Sequence, residues 1–356
     1  MPVVDGDARA AQVRHRTHPQ PAAGRPPALL TGLVVAVVVL AFAAMASVSV
    51  GAKPIGAGDV LGALFAFDPA DGDHLVVRTL RVPRTVVGLV AGMALGLAGA
   101  IMQGLTRNPL ADPGLLGVNA GAALFVVIGI SLFGVVTLTG YVWFAFAGAA
   151  VTAVVVYGIA AFGREGATPV KLALAGAAVS AALASVTTAL LLTDTDAFDH
   201  FRLWQVGSLA GRGGDLAGQA VPFMLVGLVL AAPCGRLLNT LSLGDDLARG
   251  LGQDLVLTRA LGAASVVVLC GTATALAGPV AFVGLAVPHV ARMITGPDYR
   301  WILPYAMVLA PILLLAADVV GRVVARPAEV QVGVVTAVIG APVFIALVRR
   351  RALAEL

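Results

Sequence analysis

Lysine is nearly missing from this chain: the two that occur, Lys53 and Lys171, are followed by Pro54 and Leu172. A phosphate-cradling P-loop needs Gly-Lys-Ser/Thr, so no such nucleotide site is encoded, and any ATP-driven work falls to a separate subunit. Charge of either sign is also scarce, 12% against roughly 25% in soluble domains, which leaves little room for a soluble domain. Only Cys234 and Cys270 are present, in or beside apolar runs and without CxxC spacing. They read as small buried apolar residues, not as a disulfide framework or metal site. His289 has no second His or Glu at ligand spacing and no paired nucleophile. It reads as a structural hydrogen bonder, and the chain is not read as an enzyme or as the holder of a metal or cofactor. No basic stripe interleaves with aromatics, so nucleic acid is excluded as a partner despite a net charge of +4.

Apolar residues dominate instead, at 59%, with a mean hydropathy of +0.96. At about 20 apolar residues per span, the chain is an all-α polytopic membrane protein with about ten transmembrane helices. The apolar runs place them near Leu29–Val50, Thr85–Leu105, Leu115–Leu132, Tyr141–Phe162, Val170–Leu192, Leu216–Leu238, Val256–Leu276, Val280–Ile294, Trp301–Val320 and Val332–Val348. Residues 1–27, with Arg9, Arg14, Arg16 and Arg25, read as a disordered cytoplasmic tail ahead of one membrane domain, 28–356. The first run is too long for a signal-peptide core, so it is expected to be retained. Gly51–Leu80 reads as a polar loop. Between Thr193 and Leu216, the spacing of Phe198, Phe201 and Trp204 suits a short amphipathic helix at the membrane–water interface.

With the N-terminus inside, about two thirds of the 23 lysines and arginines fall on the cytoplasmic side, which supports both termini in the cytoplasm. The exceptions are Arg78, Arg81, Arg84 and Arg322, external arginines close to helix ends. Either an acidic extracytoplasmic partner or lipid headgroups would account for them. Asp318 lies four residues before Arg322, on the same helical face and within pairing reach.

The stretch Arg81–Gly121 organises the rest. Its apolar helix carries Gly88, Gly92 and Gly96 at four-residue spacing, a smooth stripe suited either to close helix packing or to a passing solute. The glycine-rich fifth span, with Gly176 and Ser180, is the second candidate for a pathway wall. After the opening helix comes a proline-bracketed polar segment, Asn108-Pro109-Leu110-Ala111-Asp112-Pro113. On the same face, Leu243-Gly244-Asp245-Asp246-Leu247-Ala248-Arg249-Gly250-Leu251-Gly252 reads as a short exposed helix between two spans. It is either an ordinary capped loop helix or an insert for a partner's cleft.

Six segments in this order resemble the FecCD family, the permease subunits of ABC importers for iron–siderophores, haem and cobalamin. They are R-V-P-R from Arg81, G-L-A-G-A-I-M-Q from Gly96, N-P-L-A-D-P-G-L-L-G-V from Asn108, L-G-D-D-L-A-R-G-L-G from Leu243, G-P-V-A-F-V-G-L-A-V-P-H-V-A-R from Gly278 and V-G-V-V-T-A-V-I-G-A-P-V-F from Val332. The resemblance implies a BtuC-like, type II importer fold of ten helices. It also implies a second permease, identical or a sister, two cytoplasmic ATPases, an extracytoplasmic binding protein, and the cytoplasmic membrane of a bacterium. By that resemblance Arg81, Arg84 and Arg322 meet acidic residues of the binding protein, and Asn108 to Pro113 form the cytoplasmic gate. Leu243, Gly244, Asp245, Asp246, Ala248, Arg249, Leu251 and Gly252 would sit on the ATPase. Ferric siderophore is the default cargo, with haem or cobalamin as alternatives. An ion-coupled carrier is the main rival, and it would need membrane-embedded ionisable groups; Asp318 is the chief one available.

Overall fold

The structure is a computed structural model describing residues 26–135, 137–162, 168–211 and 214–349. The arginine-bearing tail before residue 26, the Arg164 turn and the end of the chain from residue 350 lie outside the described residues. The tail's assignment as a separate disordered segment therefore stays an expectation.

Among the described residues the regular elements are all helical. They are α1 (Pro26–Ser49), α2 (Ala57–Phe65), α3 (Gly72–Val76), α4 (Val82–Thr106), α5 (Val118–Phe133), α6 (Leu138–Ala161), α7 (Pro169–Thr193) and α8 (Thr195–Gln205). There follow α9 (Gly214–Ala231), α10 (Cys234–Ser242), α11 (Asp245–Gly250), α12 (Leu255–Ala277), α13 (Val283–Thr295), α14 (Tyr299–Val324) and α15 (Val332–Arg349). By length and composition seven helical stretches can cross a membrane, and three shorter apolar helices, in α5, α13 and α15, complete the expected set of ten.

Starts and stops follow local chemistry. Thr137, Thr168, Asp194, Asp254 and Asp298 each accept a backbone N–H at a helix start, satisfying donors that the helix itself cannot. Gly134 ends α5 in the left-handed region at φ 62°, where glycine carries no steric penalty.

α4 is the hub. It is buried along most of its length and packs on α14, α12 and α13. Gly99 lets it reach the α13 backbone at Gly284, a crossing with no room for a side chain. α1 and α7 lie at the margin, mostly exposed.

Three expectations change. The segment read as a polar loop carries α2 and α3, and from Gly72 the helix continues through a π turn, Val77–Arg81, into α4. The sixth span is two helices, α9 and α10, separated at Ala232–Pro233. α8 forms as expected, but Phe201 and Trp204 are buried within the core while only Phe198 is exposed. Its aromatic face packs inward instead of lying in the lipid interface.

Candidate functional site: collar, gate and coupling helix

The outer collar is built on the carbonyl end of α1. A helix leaves its last four carbonyls without intrahelical partners. Here Ala46 accepts from Val50 N at 2.8 Å. Arg322 Nη1 donates to the Ser47 carbonyl at 2.8 Å and to Val50 at 2.7 Å. Arg81 Nη1 donates to Val48 at 3.1 Å and Ser49 at 2.5 Å, while its Nη2 reaches Lys53. Cations here also favour the negative end of the helix dipole.

Asp318 holds the two sides together. Its carboxylate accepts from Arg84 Nη2 at 2.7 Å and from Arg84 Nε at 3.0 Å. It also pairs with Arg322 Nη2 at 2.8 Å, the expected i,i+4 contact. Arg84 Nη1 reaches Glu329 at 2.7 Å. Arg81 and Arg322 are 5% and 1% exposed, so neither is a surface cation awaiting a partner. Arg81, Arg84 and Arg322, expected to meet acidic residues of a binding protein, also have acceptors inside the chain, Arg322 with Asp318 as expected. Arg81, Arg84 and Arg322 nonetheless line a cavity of about 390 Å³, with Glu329, Lys53 and Gly211 around it.

The expected gate is a chain of self-satisfied turns. Arg107 closes α4 in the left-handed region at φ 48°, and Asn108 N returns to the Gln103 carbonyl at 3.2 Å. Asn108 Oδ1 accepts from Leu110 N at 2.9 Å, and Asp112 Oδ1 from Gly114 N at 2.8 Å. A 3-10 turn, Pro113–Leu116, and Gly117 at φ 71° then lead into α5. Asn108 and Leu110 are exposed and Pro109 half-buried; Ala111 and Pro113 are buried. Pro113 meets Gly284 of α13, and the Leu115 carbonyl lies against Gly176 of α7. Beside it, Gln103 donates to the Leu285 carbonyl at 3.1 Å and accepts from the buried Arg292 at 3.2 Å. This α4–α13 tie through Gln103 had no expected role.

The glycine stripe faces inward. A Cβ on Gly88 would stand 2.6 Å from Leu315, and one on Gly92 or Gly96 would overlap the backbone of Pro311 or Ala306. These are packing positions against α14, not a pathway wall. Gly176 and Ser180 likewise face the chain's own turn between α4 and α5, near Leu115 and Gly117. The open face of α7 is elsewhere, at Ala177, Ala181, Ser185 and Ala189, another small-residue row at four-residue spacing that the sequence displayed. Next to that face, α5, α7 and α8 enclose a cavity of about 560 Å³ lined by Asn119, Ala123, Thr187, Thr188, Leu191 and Gln205, among others.

The coupling segment divides into two faces. Asp245 and Ala248 point into the chain: Ala248 is fully buried, and Asp245 pairs with Arg107 and with Arg259, the latter at 2.7 Å. Burial pushes the Asp245 carboxyl up, but the Arg259 and Arg107 guanidiniums outweigh it and hold the group below the usual carboxylate range. Leu243, Leu247 and Leu251 are each more than half exposed. Asp246 pairs only with Arg249, at 3.1 Å in the open. Gly244 and Gly252 carry positive φ at the two ends. Of the residues expected to meet a partner, Ala248 is buried and Asp245, part-exposed, is paired within the chain. Leu247, outside that expectation, is exposed beside Leu243 and Leu251.

Fold and site together define a polytopic membrane permease in which a short exposed helix is joined through Asp245 to the end of α4. The family model for the FecCD transport family matches residues 39–350, and the chain belongs to that family of ABC-transporter permeases. It is 47% identical to the ferric enterobactin transport system permease FepD of Escherichia coli, over 88% of this chain and 93% of that protein. It is 41% identical to the iron(3+)-hydroxamate import system permease FhuB of Bacillus subtilis, over 89% and 83%. A solved inward-facing metal-chelate type ABC transporter matches with a TM-score of 0.77 at 27% identity, covering 90% of this chain and 99% of that one. ATPase, binding-protein and second-permease partners go with membership of this class.

Proposed function

We propose that this chain imports ferric siderophores across the cytoplasmic membrane of a bacterium, with both termini in the cytoplasm. Two such subunits, two copies of this chain or this chain and a sister, enclose the pathway, and the small-residue face of α7 forms part of its wall. Small apolar side chains suit a bulky chelate, which must pass without being held. Two separate ATPase subunits seat on α11 through Leu243, Leu247 and Leu251. An extracytoplasmic binding protein delivers the chelate over the external cavity. In this reading the collar arginines shape the docking surface, and an incoming carboxylate would compete with Glu329, half-open beside Arg84, for the Arg84 guanidinium. The segment Asn108–Pro113 closes the inner end.

The observation that carries this reading is the exposed leucine row on a helix whose other face is pinned to the gate segment. A rigid apolar helix at the cytoplasmic surface fits a partner's cleft. The ion-coupled alternative has little support in the geometry, because the buried Asp318 is already neutralised by Arg84 and Arg322. The test is uptake of radio-iron-labelled ferric enterobactin, ferric hydroxamate and haem, and of radio-cobalt-labelled cobalamin, into liposomes holding this chain, its ATPase and its binding protein. ATP-dependent uptake of a ferric siderophore is expected. Uptake without ATP sinks the reading, and uptake of haem or cobalamin alone changes the cargo.

A further inference from the structure

One carboxylate joins three elements at the cytoplasmic face. Asp245 is the first residue of α11. Its Oδ1 accepts from Nη2 of Arg107, the residue that closes α4 and precedes Asn108. Its Oδ2 accepts from Nη2 of Arg259, in the second turn of α12, at 2.7 Å. The two oxygens thus serve different helices. Charge-assisted bonds of this kind fix direction as well as distance.

The surroundings make the joint stiff on two sides and free on the third. Arg259 lies beside Met102, Leu105, Thr106 and Leu116, where α4, α12 and the 3-10 turn Pro113–Leu116 pack on one another. Gln253, which follows α11, is tied back to the Leu237 carbonyl at 3.0 Å and to Thr258 at 2.9 Å. The outer face of α11 carries only exposed side chains and one exposed ion pair, Asp246–Arg249. A push on that outer face moves the Asp245 carboxylate, and the carboxylate holds the residue at which the gate begins.

We infer that Asp245 is the joint that converts displacement of the coupling helix into movement of the gate segment, acting as a positioning residue through Arg107 and Arg259. This deepens the importer reading and rests on it. An ion pair that merely stabilised the loop would leave the stoichiometry of transport untouched. A joint instead sets how much chelate moves for each ATP.

The experiment uses the complete complex in liposomes and measures ferric siderophore uptake and ATP hydrolysis together, with co-purification of the ATPase as a check on assembly. Asp245→Asn keeps the size and removes the charge. Expected is a fall in chelate moved per ATP within the roughly 5–150-fold span of typical coupling energies. Asp245→Glu should restore the ratio to near wild type. Arg107→Gln should lower it too, and the double variant should be no worse than the more impaired single one, as for two groups acting through one contact. The inference is overturned if Asp245→Asn leaves the ratio unchanged, or if uptake and hydrolysis fall together with loss of the ATPase from the complex. Additive losses in the double variant overturn it too. A wild-type complex that itself moves no chelate with ATP overturns the importer reading, an outcome distinct from an unchanged ratio in Asp245→Asn.

Discussion

Gly99→Ala should destabilise this protein and Gly88→Ala should not, although each adds one methyl group to a buried position on α4. The difference lies in what the methyl meets. On Gly99 it overlaps the Gly284 carbonyl and stands 2.6 Å from Gly284 Cα, so the α13 backbone itself has to move. On Gly92 it overlaps Pro311 Cα, with the Pro311 nitrogen 2.7 Å away. On Gly88 the nearest atoms are Leu315 Cδ2 at 2.6 Å and Leu209 Cδ1 at 3.1 Å, the far ends of side chains. Turning such an end aside costs about 0.5–1.5 kcal/mol, and alanine over glycine inside a helix returns roughly 0.5–1 kcal/mol. The net at Gly88 is close to zero. Overpacking costs about 1–3 kcal/mol, and immovable backbone places Gly99 and Gly92 at the upper end. After the same helix gain, the net loss is about 2 kcal/mol. At roughly 2–4 °C per kcal/mol for a protein of 150–250 residues, the apparent Tm of the purified protein in detergent should drop by several degrees for Gly99→Ala and Gly92→Ala, and hold for Gly88→Ala. Chelate uptake by cells, scored per folded molecule, is the companion measurement. If Gly92→Ala and Gly99→Ala melt like the wild type yet abolish uptake, the methyl groups obstruct a pathway and the packing argument is refuted.

Two further outcomes follow from the charges. Arg322→Ala removes a donor from the Ser47 and Val50 carbonyls and from Asp318; breaking such a buried pair costs about 3–5 kcal/mol, so folded yield and apparent Tm should fall sharply. Arg78→Ala, an exposed cation over the Phe67 ring, should stay within about 0.5 kcal/mol of wild type, and equal losses in the two would refute the capping argument. Asp298 titrates low: burial raises its carboxyl, but hydrogen bonds from Arg300 and Asn239 outweigh that and hold it below 3.8. A carboxylate depressed on folding adds stability above its unfolded value and loses it as pH falls through the folded one. Asp298→Asn should therefore melt below wild type at neutral pH, and a melting series should show the gap closing at acid pH below 3.8.

Span number and the positions of the two inner segments were readable because long apolar runs and Asx, Pro and Gly punctuation are local properties. Asn108 and Asp112 bond to backbone two residues on, so the turn was written in adjacent letters. Orientation about each helix axis was not. Gly92 and Ala181 both belong to small-residue rows at four-residue spacing, and only the tertiary position of α14 turns one inward and leaves the other open. α8 misled for the same reason: Phe201 and Trp204 form an amphipathic face that fits lipid as well as it fits a protein core, and the core occupies it.

The arginines carry the larger lesson. Their departure from the orientation rule pointed to a competing demand, and acceptors within the chain supply one that the sequence reading did not weigh. The acceptors of Arg81 and Arg322 are largely main-chain carbonyls at the end of α1, which no side-chain pattern can display. α1 packs on α14 but is mostly exposed along its length, and the guanidiniums add fixation at its end. That same arrangement bears on mechanism. A carrier driven by ion binding needs a carboxylate free to gain and lose its partner in the membrane, whereas Asp318 is held by Arg84 and Arg322 at once, with Ser47 fixing Arg322 from the other side. With its buried carboxylate committed to structure, the chain has no such group on offer there, and the work of transport is best assigned to motion imposed at α11.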